Sequence, residues 1–163
     1  MDLFFESLPF LLGLALVYSI LELRRWRRDR KRPTILIDGS NVMHWRDNTP
    51  ALEPVVELVA RLQAAGFRAG VVFDANAGYK LGGRYQDDAV LARRIGLPKA
   101  QVLVVPKGQP ADPTLLAAAQ DMGARIVSND RFRDWAEAFP DQLSPGKLIR
   151  GGYRNGALWL DLD

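Results

Sequence analysis

Five aspartates stand where they can do chemistry. Asp38 closes a short apolar run and opens into Gly39-Ser40-Asn41. Asp74 ends a second run, Asp112 stands at the start of a helical stretch, and Ser128-Asn129-Asp130 follows another run with Asp134 four residues on. Carboxylates that converge repel one another and stay ionised most easily around a hard divalent cation. Such an ion, Mg²⁺ or Mn²⁺, lowers the pKa of a bound water, orients a phosphate and takes up charge on a leaving oxygen. The pattern therefore suits phosphodiester hydrolysis. The composition agrees: with no cysteine and His44 as the single histidine, thiolate zinc sites, disulfides, thiol nucleophiles and histidine clusters are all excluded. Any metal must be held by oxygen. The plain alternative is that each aspartate caps backbone amides at a strand end or helix start. Convergence of four or five on one edge argues against capping alone.

The elements that must position these acids alternate. Thr34–Asp38 reads as a strand, Leu52–Ala65 as a helix ending at Gly66, and Ala69–Asp74 as a second strand. Asn76–Tyr85, rich in glycine, reads as a loop, Gln86–Ile95 as a short helix, and Val102–Val105 as a third strand. Pro110–Met122 is a helix stopped by Gly123, and Ala124–Val127 is a fourth strand. Alternation of this kind predicts a parallel sheet covered on both faces, with functional groups past the carboxyl ends of the strands. If a helix begins at Asp130, Asp134 shares its face. Lys147–Tyr153 and Ala157–Leu162 flank Arg154-Asn155-Gly156, a hairpin signal.

The amino-terminal residues have a different character. Leu3–Leu23 has an uncharged core from Ser7 to Ile20 and is long enough, at 1.5 Å per helical residue, to cover a hydrocarbon core of roughly 30 Å. A cleaved signal peptide fits poorly because the basic residues follow the apolar stretch. A buried core helix fits poorly because apolar residues occupy every face. A single membrane anchor fits best, giving an organisation of 1–23 anchor, 24–33 basic juxtamembrane linker and 34–163 globular domain. Seven of the 22 Lys and Arg residues lie in 24–32, while 33–163 carries 15 basic and 15 acidic side chains. The basic run would contact anionic lipid headgroups and, by the positive-inside rule, hold the domain on the cytoplasmic side of the cell (inner) membrane. The run can also attract RNA. The neutral remainder gives no electrostatic sign of a basic nucleic-acid binder.

Two stretches carry a family resemblance. ILIDGSNVMHW at 35–45 and ADPTLLAAAQDMGARIVSNDRFRDW at 111–135 resemble the NYN ribonucleases of the PIN-like superfamily, of the Regnase or MCPIP type, from about Pro33 onward. The 18-residue spacing of Asp112 and Asp130 is similar too. The resemblance implies a PIN-like three-layer α/β/α fold with a central, mainly parallel sheet, here preceded by a single transmembrane helix. It implies a metal-dependent endoribonuclease acting on RNA, with Asp38, Asp112, Asp130 and Asp134 as the acidic site, Mg²⁺ or Mn²⁺ on Asp38, Asp112 and Asp130, and Asn41 as polar support. The chain departs from its relatives at Ala111, where they often carry a second acid, and it cannot build the CCCH zinc finger of animal members.

Around that site, Ser128 and Asn129 are expected near substrate beside Asn41. Lys80, Arg84, Arg131 and Arg133 are suited to phosphate, and Tyr79, Tyr85 and Trp45 to stacking on bases. Solvated loops are the competing reading. Asp74 stays open between site and capping, and His44 is read as packing or surface. Asp87 and Asp88 complement a helix dipole and are left out of the site. Trp135, Phe139 and Trp159 are expected in the core. The main alternative function is a catalytically weak or inactive tethered module binding RNA or a partner, motivated by Ala111. A homodimer paired through the anchor is also allowed.

Overall fold

The computed structural model describes residues 14–24 and 32–162. The chain divides into two compact units, Met1–Arg32 and Pro33–Asp163. In the first, residues 14–24 are helical, and Leu14, Leu16, Val17, Tyr18, Ile20, Leu21 and Leu23 are all exposed. Among the described residues no helix is long and apolar enough to cross a membrane. The span expected over 3–23 lies partly outside the described residues, as does most of the basic run.

The second unit is built on five parallel strands: β1 (Thr34–Asp38), β2 (Arg68–Phe73), β3 (Val102–Val104), β4 (Arg125–Val127) and β5 (Leu148–Ile149), in the order β3-β2-β1-β4-β5. Period-two alternation sends Ile35, Ile37, Val71 and Phe73 into one core cluster and Leu36, Val72 and Ile126 into another on the opposite face. The first face is covered by α2 (Glu53–Ala64), whose Val55, Leu58, Val59 and Leu62 form a buried stripe, and by α4 (Asp88–Ile95). The second is covered by α5 (Ala111–Met122) through Leu115, Leu116 and Ala119. This is the expected three-layer α/β/α arrangement. The strand order runs outward from β1 in both directions, so the switch point lies between β1 and β4, where open parallel sheets place their sites.

Three local expectations change. The glycine-rich stretch 76–85 contains a short helix, α3 (Ala77–Gly82), because Ala77 is buried in the core and left-handed Gly83 caps it. Packing overrides the low helix propensity of glycine. Lys147–Tyr153 is not one strand: β5 joins the main sheet, the chain breaks at Arg150, and β6 (Gly151–Arg154) pairs antiparallel with β7 (Ala157–Leu160). The two-residue turn Asn155-Gly156 has φ of 51° and 76°, the left-handed pair that hairpins favour. No helix begins at Asp130; a 3₁₀ turn at Arg133–Trp135 follows a tight turn instead. Asp130 Oδ1 accepts from Phe132 N at 2.8 Å, and Phe132 takes φ of 49° while its ring is buried in the second cluster.

Asp87 accepts from Val90 N at the start of α4, and Asp88 accepts from Val104 N on the edge strand. Both acids thus have structural partners away from the switch point.

Candidate active site

Asp38 sits at the carboxyl end of the central strand and caps α1 (Gly39–Val42), a single helical turn. The chain can turn there because residue 39 is glycine: a Cβ would lie 2.5 Å from the Phe73 ring and 2.8 Å from Val71. Asp38 is 9% exposed. Its Oδ1 accepts from Asn41 N at 3.0 Å and its Oδ2 from Ser128 Oγ at 2.8 Å. The capping role is therefore real, and it accounts for part of the carboxylate. Burial is the main reason its pKa rises to about 6; the hydrogen bonds from Ser128 and Asn41 pull it down, while the charges of Asp112 and Asp74 push it up.

Asp112, in the first turn of α5, also has a raised pKa. Burial is again the main cause, followed by Asp130, Asp74 and Asp134, with a hydrogen bond from Trp135 acting the other way. Asp38, Asp74, Asp112, Asp130 and Asp134 therefore share one electrostatic field. Asp74 joins by geometry that no sequence motif announces: its backbone N–H donates to Ser40 Oγ at 2.8 Å, pinning the end of β2 to the turn after β1. Among the described residues, no Lys or Arg is among the groups that shift Asp38 or Asp112.

The polar residues around the acids act mainly as a brace. Ser128, expected near substrate, is fully buried; its Oγ donates to Asp38 and accepts from Asp130 N at 3.0 Å. Asn41 Oδ1 accepts from Trp45 Nε1 at 2.8 Å and Asn129 N at 3.0 Å, so Trp45 is committed to Asn41 and packed on the core instead of free to stack. Asn129 pairs at two points with the Gly151 backbone, donating at 2.8 Å and accepting at 3.3 Å. Arg150, which no pattern in the sequence singled out, donates to the carbonyls of Ser128 and Asp130 at 3.0 and 2.9 Å. Lys80, Arg84, Arg131 and Arg133 are exposed, as are Tyr79 and Tyr85. His44 is half-buried, with Nδ1 3.5 Å from Asn48 O. Trp135 and Phe139 pack against the second cluster, but Trp159 joins neither cluster and lies under Arg154.

Residues 31–144 match the family model of the Zc3h12a-like ribonuclease NYN domain. The chain belongs to this family. No curated protein matches it. Two solved structures of nuclear protein-only RNase P 2 from Arabidopsis thaliana are similar to this chain over 96% of its length. They are 17% and 18% identical, with TM-scores of 0.60 and 0.62. The chain spans about a third of their length (36% and 35%), and at this identity the likeness concerns the fold.

In this NYN domain the donor chemistry suits a hard cation, since the acids of the site offer carboxylate oxygens and, among the described residues, no Lys or Arg forms a salt bridge with Asp38, Asp112 or Asp130. The geometry is open: among the described residues no three acidic or histidine side chains lie close enough to hold a metal ion as they stand. Ala111 packs against the second apolar cluster.

Proposed function

We propose that this ribonuclease domain is a metal-dependent endoribonuclease, held at the cell (inner) membrane by residues 3–23 and facing the cytoplasm. The observation that carries the reading is Asp38: a buried carboxyl at the switch point of the sheet, in the field of Asp112 and Asp74, with Asp112 in turn in the field of Asp130, Asp74 and Asp134. Mg²⁺ or Mn²⁺ held by Asp38, Asp112 and Asp130 would relieve that repulsion, activate water and take up phosphate charge. Asp134 adds negative field at Asp112. Ser128 and Asn41 hold the acids in place, and Lys80, Arg84, Arg131 and Arg133 receive RNA phosphates. The exposed apolar helix at 14–24 supports the anchor, and the basic run supports its orientation and lipid contact.

The full chain in detergent, given single-stranded RNA, should cut it with Mn²⁺ and stop with EDTA or in Asp130→Asn. Ala111 favours a second reading, a tethered RNA-binding module of weak or no activity. RNA binding without turnover across a Mn²⁺ titration would select it. Membrane fractionation tests the anchor: release by alkaline carbonate would refute it.

A further inference from the structure

The β6–β7 hairpin lies outside the 31–144 match to the family, yet it springs from the acidic edge. β5 runs parallel to β4 and ends at the same edge, and the next elements are Arg150, which grips the Ser128–Asp130 turn, and Gly151, which Asn129 holds. Gly151 also lets the Trp45 ring approach closely, since a Cβ there would lie 2.8 Å from it.

The two faces of the hairpin differ. Tyr153, Leu158 and Leu160 turn inward to the first core cluster. Arg46 lies 4.5 Å over the Tyr153 ring, and the Tyr153 hydroxyl donates to Glu57 at 2.6 Å. On the outer face the register sets Gly152 against Trp159 and Arg154 against Ala157. The Arg154 guanidinium lies 4.1 Å from the Trp159 ring centroid, and among the described residues no carboxylate pairs with it. Arg154 and the turn beyond it are exposed. Stacking on the indole orders a long cation, leaves its N–H groups for phosphate and presents a flat surface to an unpaired base. A Trp outside the core, topped by an unpaired Arg on a hairpin whose base is tied to the Ser128–Asp130 turn, has the chemistry of a single-strand platform.

We propose that the outer face of this hairpin docks single-stranded RNA, with Trp159 and Arg154 stacking on a base and Arg154 contacting phosphate, so that the strand is led to the acidic edge. The inference rests on the ribonuclease reading and adds a surface to it.

The test uses the full chain in detergent, carrying Asp130→Asn and kept in EDTA, with a fluorescein-labelled single-stranded oligouridylate read by anisotropy. Arg154→Ala and Trp159→Ala should each weaken binding by about 5- to 30-fold. Trp159→Phe, which keeps a ring, should recover most of that loss, and Arg93→Ala on α4 should change little. Equal affinity for Arg154→Ala and the unaltered hairpin, or an equal loss in Arg93→Ala, would overturn the proposal. Arg154 is exposed, so its variant keeps the test valid if Trp159→Ala fails to fold. If RNA is cleaved by the native chain while the hairpin variants bind normally, only the docking surface fails. A native chain that neither binds nor cleaves RNA overturns both readings.

Discussion

The two ends of the parallel sheet are made from the same five strands and behave differently. At the carboxyl end, Asp38, Asp74 and the Ser128–Asp130 turn crowd charge together; Ser128 and Asn41 donate to Asp38, and the Asp74 N–H donates to Ser40. At the amino end, Thr34, Arg68 and Gln101 border a mainly apolar hollow of about 140 Å³, lined also by Leu36, Gly70, Val72, Leu103, Ala118 and Met122. That hollow is a gap in packing lined mainly by apolar side chains. The acidic end keeps a carboxyl whose charge the fold disfavours, and such stored cost is a mark of a site designed to receive something. The apolar hollow and the crowded carboxylates lie at opposite ends of the sheet, and the chemistry of the carboxylates is the better guide to a site.

The sharpest way to break this contrast is Asp38→Asn. Cleavage should fall by about a thousandfold or more, as expected when a group central to phosphate chemistry is lost. The metal-free melting temperature at pH 7 should hold or rise, because a disfavoured charge has been removed. Loss of stability with activity retained would reverse the assignment.

The pH dependence sharpens it. Asp38 binds its proton more tightly in the fold, near 6, than in the unfolded chain, near 3.8. Its contribution therefore favours the fold below about pH 4 and is lost as pH rises through 6, by about 3 kcal/mol. Urea titrations without metal should show this slope, and Asp38→Asn should flatten it. Divalent metal should raise the melting temperature more at pH 7 than at pH 5.

Gly39→Ala tests the support beneath the acid. Its Cβ would press into the Phe73 ring, so stability should drop by about 2 kcal/mol, measured by urea unfolding. Met122→Ala is the smallest effect. Met122 is 60% exposed at the hollow, so stability should move by less than about 0.5 kcal/mol with cleavage unchanged. A large loss of cleavage there would mean the amino end takes part after all.

Much of the fold was legible because its signals are local. Apolar runs ending in Asp38 and Asp74, the stripe of α2 and the Asn155-Gly156 turn each report on a few neighbouring residues. What failed depended on distant partners. The helix at 77–82 exists because Ala77 finds the core, and β5 separates from β6 because Arg150 turns back to the carbonyls of Ser128 and Asp130. Ser128 looked like a substrate contact in its motif, but burial makes it the link between Asp38 and Asp130.

By itself the sequence determined which groups are available: oxygen donors without cysteine, acids at strand ends, a family motif and an apolar amino-terminal stretch. Tertiary structure alone decided how those groups bear on one another. Side chains as far apart in the chain as Asp38 and Ser128 meet only when parallel strands align, and the burial that raises Asp38 comes from the closed fold as a whole. A proton's affinity depends on the surrounding dielectric and charge, and neither exists until the chain has folded.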